Sequence, residues 1–136
     1  MASHAARLSR VFTPEYVKRI NAQIVHPAQA VVVKPNELGS SLSRPLHLSA
    51  YEPDRDPAYF AATLAFGIIK GHPFMDGNKR TAFFVAHEYA RAMGLPGMPA
   101  EAGVDNDLVV KTATKYMDVA AGKLDMDGLV DTVKPL

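Results

Sequence analysis

The sequence predicts an all-α fold, a compact helical bundle with a central buried helix pair and a small flap. Three observations predict it. Residues 58–69 hold no charged side chain and repeat Phe60, Leu64 and Ile68 at a spacing of four, with Tyr59, Phe66 and Ile69 on the other faces. A helix apolar all round belongs at the centre of a fold. A second helical pattern begins near Asn78 and runs through Phe83, Phe84, Val85, Tyr89 and Met93 to the stop signals Gly94 and Pro96. Only residues 30–33 form a β-branched run, enough for one short strand at most.

The remaining elements follow in order. Thr13 is an N-cap type, Pro14 suits the first helical position and Glu15 supplies an early acid, while Val17, Ile20 and Ile24 share a face. That predicts a first helix ending before Pro27. Asn36, Glu37 and Leu38 open a short helix that stops at Arg44 and Pro45, because the residue before a proline is pushed out of the α region. Residues 46–57, with two prolines and mixed charges, read as an exposed connection or flap. Beyond the second apolar helix, residues 95–103 carry two prolines and two glycines and read as a loop. Residues 105–121 are again helical in pattern, Gly122 ends them, and Asp125 can cap a final short helix bearing Leu129 and Val130. The expectation is five or six helices forming one domain over residues 1–136, with its core at residues 11–132.

Composition narrows the chemistry. Fifteen Lys and Arg against fourteen Asp and Glu leave the charge nearly balanced, which argues against a nucleic-acid partner and requires any bound anion to be held locally. The absence of cysteine removes disulfides, thiolate metal sites and Cys nucleophiles together. No segment has the apolar length of a membrane span or a secretory core, so the expected location is the cytoplasm.

Between the two most apolar helices lies a short loop dense in polar residue types: His72, Pro73, Phe74, Met75, Asp76, Gly77, Asn78, Lys79 and Arg80. A buried scaffold is presenting reactive groups. His72 is the candidate general base, since imidazole accepts a proton near neutrality. Pro73 stiffens the turn and Phe74 is the candidate packing anchor of the loop. Asp76 offers a hard carboxylate oxygen suited to Mg²⁺ bridged to a phosphate chain. Gly77 permits unusual dihedrals and close approach of a ligand to the backbone. Asn78, Lys79 and Arg80 sit at a helix start, where unpaired amides and the dipole favour an anion, and Arg80 adds a planar fork suited to phosphate oxygens. The set describes a site for moving a phosphoryl group from a nucleotide to a hydroxyl.

These nine residues resemble the motif of the Fic/Doc (Fido) family. They match the Doc-type pattern H-x-F-x-[DN]-[AG]-N-K-R and are similar to the broader Fic pattern H-P-F-x-x-G-N-G-R. Residues 37–45 look like the family's short upstream helix, and residues 120–124 have the look of its C-terminal helices. The resemblance implies a Fido-type bundle in which His72 deprotonates a hydroxyl on a protein target, Asp76 holds the metal, and Gly77, Asn78, Lys79 and Arg80 bind nucleotide phosphates. It implies ATP and Mg²⁺, and a flap before the central helix that aligns the target segment, which here falls on residues 46–56. Lys79 stands where Fic enzymes have a second glycine, and Phe83 where they have a further arginine. Both departures favour the Doc-like reading: a toxin-type protein kinase that moves the γ-phosphate of ATP to a Ser or Thr of a target such as a translation elongation factor. Such proteins are held in check by a separate antitoxin, and no [ST]-x-x-x-E-[GN] inhibitory signature occurs in this chain.

Other readings stand beside it. A Fic-like AMP transferase is the nearest, and a degenerate Fido module that binds a nucleotide or partner without turnover is a second. A metal hydrolase built on His72, Asp76 and His87 lacks a third ligand at suitable spacing. His87 with Glu88 and Arg91 reads as a polar helix face, and His4, His26 and His47 as surface residues.

Overall fold

The structure, a computed structural model, describes residues 4–95 and 106–133. Among these residues it is all-α, with seven helices: α1 (His4–Leu8), α2 (Pro14–Val25), α3 (Pro35–Tyr51), α4 (Pro57–Gly71), α5 (Asn78–Ala92), α6 (Asn106–Ala120) and α7 (Met126–Val133). The helix starts follow from local chemistry. Thr13 Oγ1 accepts the amide of Tyr16 at 3.2 Å and Asp56 Oδ1 accepts that of Ala58 at 2.9 Å, each satisfying an amide that has no partner within its helix. Pro14 and Pro57 take the first helical positions, where a missing N–H costs nothing.

The apolar segment forms the centre, as its lack of charge requires. Ten residues of α4 are buried, and the helix packs against α3, α5, α6 and α7. Leu64, Ile68, Val85 and Tyr89 lie in one cluster with Phe74, Val119 and Leu129, so α4 and α5 share the core that carries the loop between them. Gly67 allows α3 to approach closely: a Cβ there would lie 2.9 Å from Arg44 Cδ and 3.0 Å from Ser41 Cβ.

Four expectations need correcting. α3 does not stop at Pro45 but continues through it to Tyr51. A proline inside a helix costs about 3 kcal/mol, yet Leu38, Leu42 and Pro45 are all buried on one face, and that tertiary packing holds the helix together past the break. Residues 46–51 are therefore helix, and only residues 52–56 of the expected exposed connection link α3 to α4.

The second correction concerns residues 30–33. They form no regular strand but make an isolated antiparallel bridge, Val32 to Phe74. The amide of Val33 donates to the Pro73 carbonyl at 2.8 Å, and that of Met75 donates to the Val31 carbonyl at 2.9 Å. This extended segment lies along the motif loop.

Third, His87 does not belong to a polar face. It is buried, its Nδ1 lies 2.7 Å from the Phe83 carbonyl and its Nε2 lies 3.4 Å from that of Thr132, and its ring packs on Phe83. Burial holds its pKa below the usual histidine value. Glu88 and Arg91 do pair, at 3.4 Å, on the exposed side of the same helix. Fourth, α1 carries no sequence signal of its own and was not expected. His26 and His47 are exposed, while the side chain of His4 and residues 96–103 of the expected loop lie outside the described residues.

Candidate active site

The site is built where α4 stops and α5 starts. His72 ends α4 in the left-handed region at φ 51°, its amide still donating to the Ile68 carbonyl at 3.0 Å. A left-handed C-terminal residue is ordinarily glycine, and a side chain there costs about 1–2 kcal/mol. The position turns the chain sharply and leaves the imidazole exposed.

Pro73 and Phe74 then turn inward, and Phe74 is 0% exposed. Asn78 closes the loop from within. Its Oδ1 accepts the Phe74 amide at 2.9 Å and its Nδ2 donates to the Phe74 carbonyl at 2.7 Å, so both ends of the buried amide side chain are committed to the loop backbone. What Asn78 offers to an anion is its backbone N–H.

Asp76 points the other way, with its side chain 74% exposed. Its Oδ1 accepts the Gly77 amide at 2.8 Å and its Oδ2 lies 3.9 Å from Arg80 Nη2. With both groups well exposed, that ion pair contributes little. Arg80 also donates from Nη1 to the Ile24 carbonyl at 3.2 Å, which rests its fork against the end of α2.

Gly77 is the N-cap of α5 with φ 77°. A Cβ there would meet Val25 Cγ1 at 2.8 Å and Asn21 Nδ2 at 3.1 Å. The glycine is required by its dihedral and by the packing of α2 behind the loop, not by ligand approach alone. Thr81 is the first residue of α5 whose amide reaches back, to the Gly77 carbonyl at 2.8 Å. The amides of Asn78, Lys79 and Arg80 consequently have no acceptor within the helix and mark its positive end.

Five of the sequence-predicted residues and the backbone of the sixth meet at one place. His72, Asp76, Gly77, Asn78, Lys79 and Arg80 line a single cleft of about 200 Å³, closed by Ile69, Met75 and Ala120. Phe74, the expected anchor, does not line it and is buried in the core that α4 and α5 share. The cleft combines an exposed imidazole, an exposed carboxylate, two exposed cations and the bare amides of a helix start, a set that can hold an anion and move a proton beside it.

The sequence model of the Fic/DOC family matches residues 11–90. The chain belongs to the Fic/DOC family. No curated protein matches it. The Fic/DOC match ends within α5, so the likeness of residues 120–124 to the family's C-terminal helices lies outside the matched span. Fic/DOC proteins transfer a nucleotide-derived group to a target and generally use ATP with Mg²⁺.

Two Fic/DOC departures have a visible consequence. Phe83, where Fic enzymes carry an arginine, packs its ring 4.5 Å from His87 and 5.4 Å from Tyr116. Phe83 brings no cation to the cleft and does not line it. Lys79, where they carry a glycine, is exposed at the cleft instead.

One residue the sequence reading missed is Asn21. It is 1% exposed, and its Nδ2 donates to the Asp76 carbonyl at 2.9 Å and to Thr81 Oγ1 at 3.0 Å. A signal was present: Asn21 falls four residues after Val17 and three before Ile24, a polar side chain on the apolar face of its helix.

Proposed function

We propose that this protein is a Doc-like protein kinase that transfers the γ-phosphoryl group of ATP to a Ser or Thr hydroxyl of a protein target, such as a translation elongation factor. The observation that carries the reading is the shared cleft of His72, Asp76 and the first turn of α5. The bare amides of Asn78, Lys79 and Arg80, with the two side-chain cations, would receive the phosphate chain.

The donor set supports a magnesium ion of the kind that travels with a nucleotide. No group of three or more His, Cys, Asp or Glu among the described residues could hold a metal alone, and Mg²⁺ in nucleotide sites takes one or two carboxylates, with phosphate oxygens and waters completing its shell. Asp76, exposed at the cleft, is that carboxylate. The ion would neutralise charge on the phosphates during transfer.

His72 takes the proton of the target hydroxyl. The oxygen–phosphorus bond forms as the bond from the γ-phosphorus to the bridging oxygen breaks, ADP leaves, and the proton stays on the imidazole until solvent takes it. The extended segment at residues 31–33 lies along the motif loop, with Val31 and Val33 exposed beside Met75. A target segment laid there would place its hydroxyl beside His72. Lys79 and the inward-turned Phe83 support γ-transfer over the runner-up, AMP transfer. A kinase of this type would be restrained by a separate antitoxin.

The test is transfer from ATP labelled separately at the α- and γ-phosphates, with Mg²⁺, into a bacterial-type translation extract. Label arriving from the γ position alone is the expected result. Label from the α position makes the protein an AMP transferase.

A further inference from the structure

We propose that Asn21, from the last turns of α2, is a positioning residue for the phosphate cradle. It acts through two atoms it holds rather than by touching the nucleotide, and this inference rests on the phosphoryl-transfer reading above.

The primary amide of Asn21 has two N–H donors, and both are spent on the cradle. One goes to the carbonyl of Asp76 at 2.9 Å, the other to Thr81 Oγ1 at 3.0 Å. These acceptors bracket the residues proposed to hold phosphate. The Asp76 carbonyl belongs to the peptide unit whose N–H is that of Gly77, so fixing it fixes the direction of that amide and the entry into α5. The Thr81 hydroxyl closes the same turn from its far end. Gly77 lies between them, with Asn21 Nδ2 at 3.1 Å from where its Cβ would be.

Burial makes the contact decisive. Asn21 and Thr81 are buried, so removing the amide leaves the Thr81 hydroxyl, and the partly buried Asp76 carbonyl with it, without the donor that oriented them. The same end of α2 also receives Arg80, through the Ile24 carbonyl at 3.2 Å. One helical turn thus sets the direction of the cradle's amides and the resting place of its arginine. Groups that orient ligating residues without touching the ligand commonly change affinity or activity by about 10–100-fold when removed.

The experiment compares Asn21→Ala, Thr81→Val and Thr81→Ser with the wild type in two readouts. Amide hydrogen exchange of the unliganded protein reports the loop directly. Asn21→Ala is expected to speed exchange of the hydrogen-bonded amides of Met75, Gly77 and Thr81 by about tenfold while α4 is unchanged, with Thr81→Val intermediate and Thr81→Ser restored to wild-type behaviour. In transfer from MgATP, Asn21→Ala is expected to lower kcat by about 10–100-fold with KM for the target unaltered.

Exchange that quickens equally in α4 and α7 would mean a general packing role and overturn the inference, as would an Asn21→Ala protein with wild-type loop exchange or wild-type kcat in transfer from MgATP. Should Asn21→Ala fail to fold, Thr81→Val carries the comparison alone, and unaltered loop exchange and transfer in it would overturn the inference. A wild-type protein that neither binds MgATP nor transfers from it overturns the nucleotide reading instead, and exchange then decides whether Asn21 orders the loop.

Discussion

Replacing His72 by glycine is expected to abolish transfer while leaving the fold as stable as before. The two halves of that expectation come from different properties of one residue. A positioned general base contributes about 10²–10⁴-fold to a proton-transfer step, and His72 is the sole imidazole at the cleft among the described residues. Its backbone, however, sits at φ 51°, where glycine is more comfortable than any side chain. Relief of about 1–2 kcal/mol of left-handed strain is set against about 0.4–1 kcal/mol from the greater freedom of glycine in the unfolded chain, so the midpoint of urea unfolding should hardly move. His72→Ala, which keeps the strain, should lose transfer equally. The chain thus keeps histidine at a position that local conformation would give to glycine, which is the pattern of a residue held for chemistry. A His72→Gly protein retaining more than about a tenth of wild-type transfer would contradict the role of general base.

Phe74→Ala is expected to have the opposite signature, a large loss of stability. Phe74 is fully buried in the cluster that α4 and α5 share, and its backbone is clamped by Asn78 on one side and bridged to Val32 on the other. Truncating a buried phenylalanine costs about 3–5 kcal/mol, against a total of about 5–15 kcal/mol for a typical domain. The urea midpoint should fall steeply, and thermal unfolding with it. Phe74→Leu, which keeps most of the volume, should lose far less. An unchanged midpoint for Phe74→Ala would show that the motif loop is not anchored through this ring.

What the sequence made legible was whatever rests on local pattern. The absence of charge over residues 58–69 placed α4 at the centre, and Thr13, Pro14 and Asp125 marked helix starts that the structure shows, the last through a 3.4 Å contact from the Gly128 amide to Asp125 Oδ1. The cleft residues were legible because they lie within nine positions of one another. Contacts between distant segments were not. Pro45 signals a helix end by its local conformation, and only the buried face of α3 against α4 overrides it. Residues 30–33 look like a strand, yet their sole partner among the described residues is a loop forty residues away in the chain. His87 beside Glu88 and Arg91 looks solvated until its spacing of four from Phe83 is noticed, which turns it toward Tyr116 and Thr132. Asn21 acts on residues 55 and 60 positions away, and no local motif could announce that.

The most direct measurement is an NMR titration of the protein with Mg²⁺ and a non-hydrolysable ATP analogue, following the backbone amides one by one. The largest shifts are expected on Asn78, Lys79 and Arg80, whose N–H groups have no acceptor within α5, with Gly77 beside them. A titration that leaves those amides unmoved, or moves a different surface, would contradict the nucleotide reading.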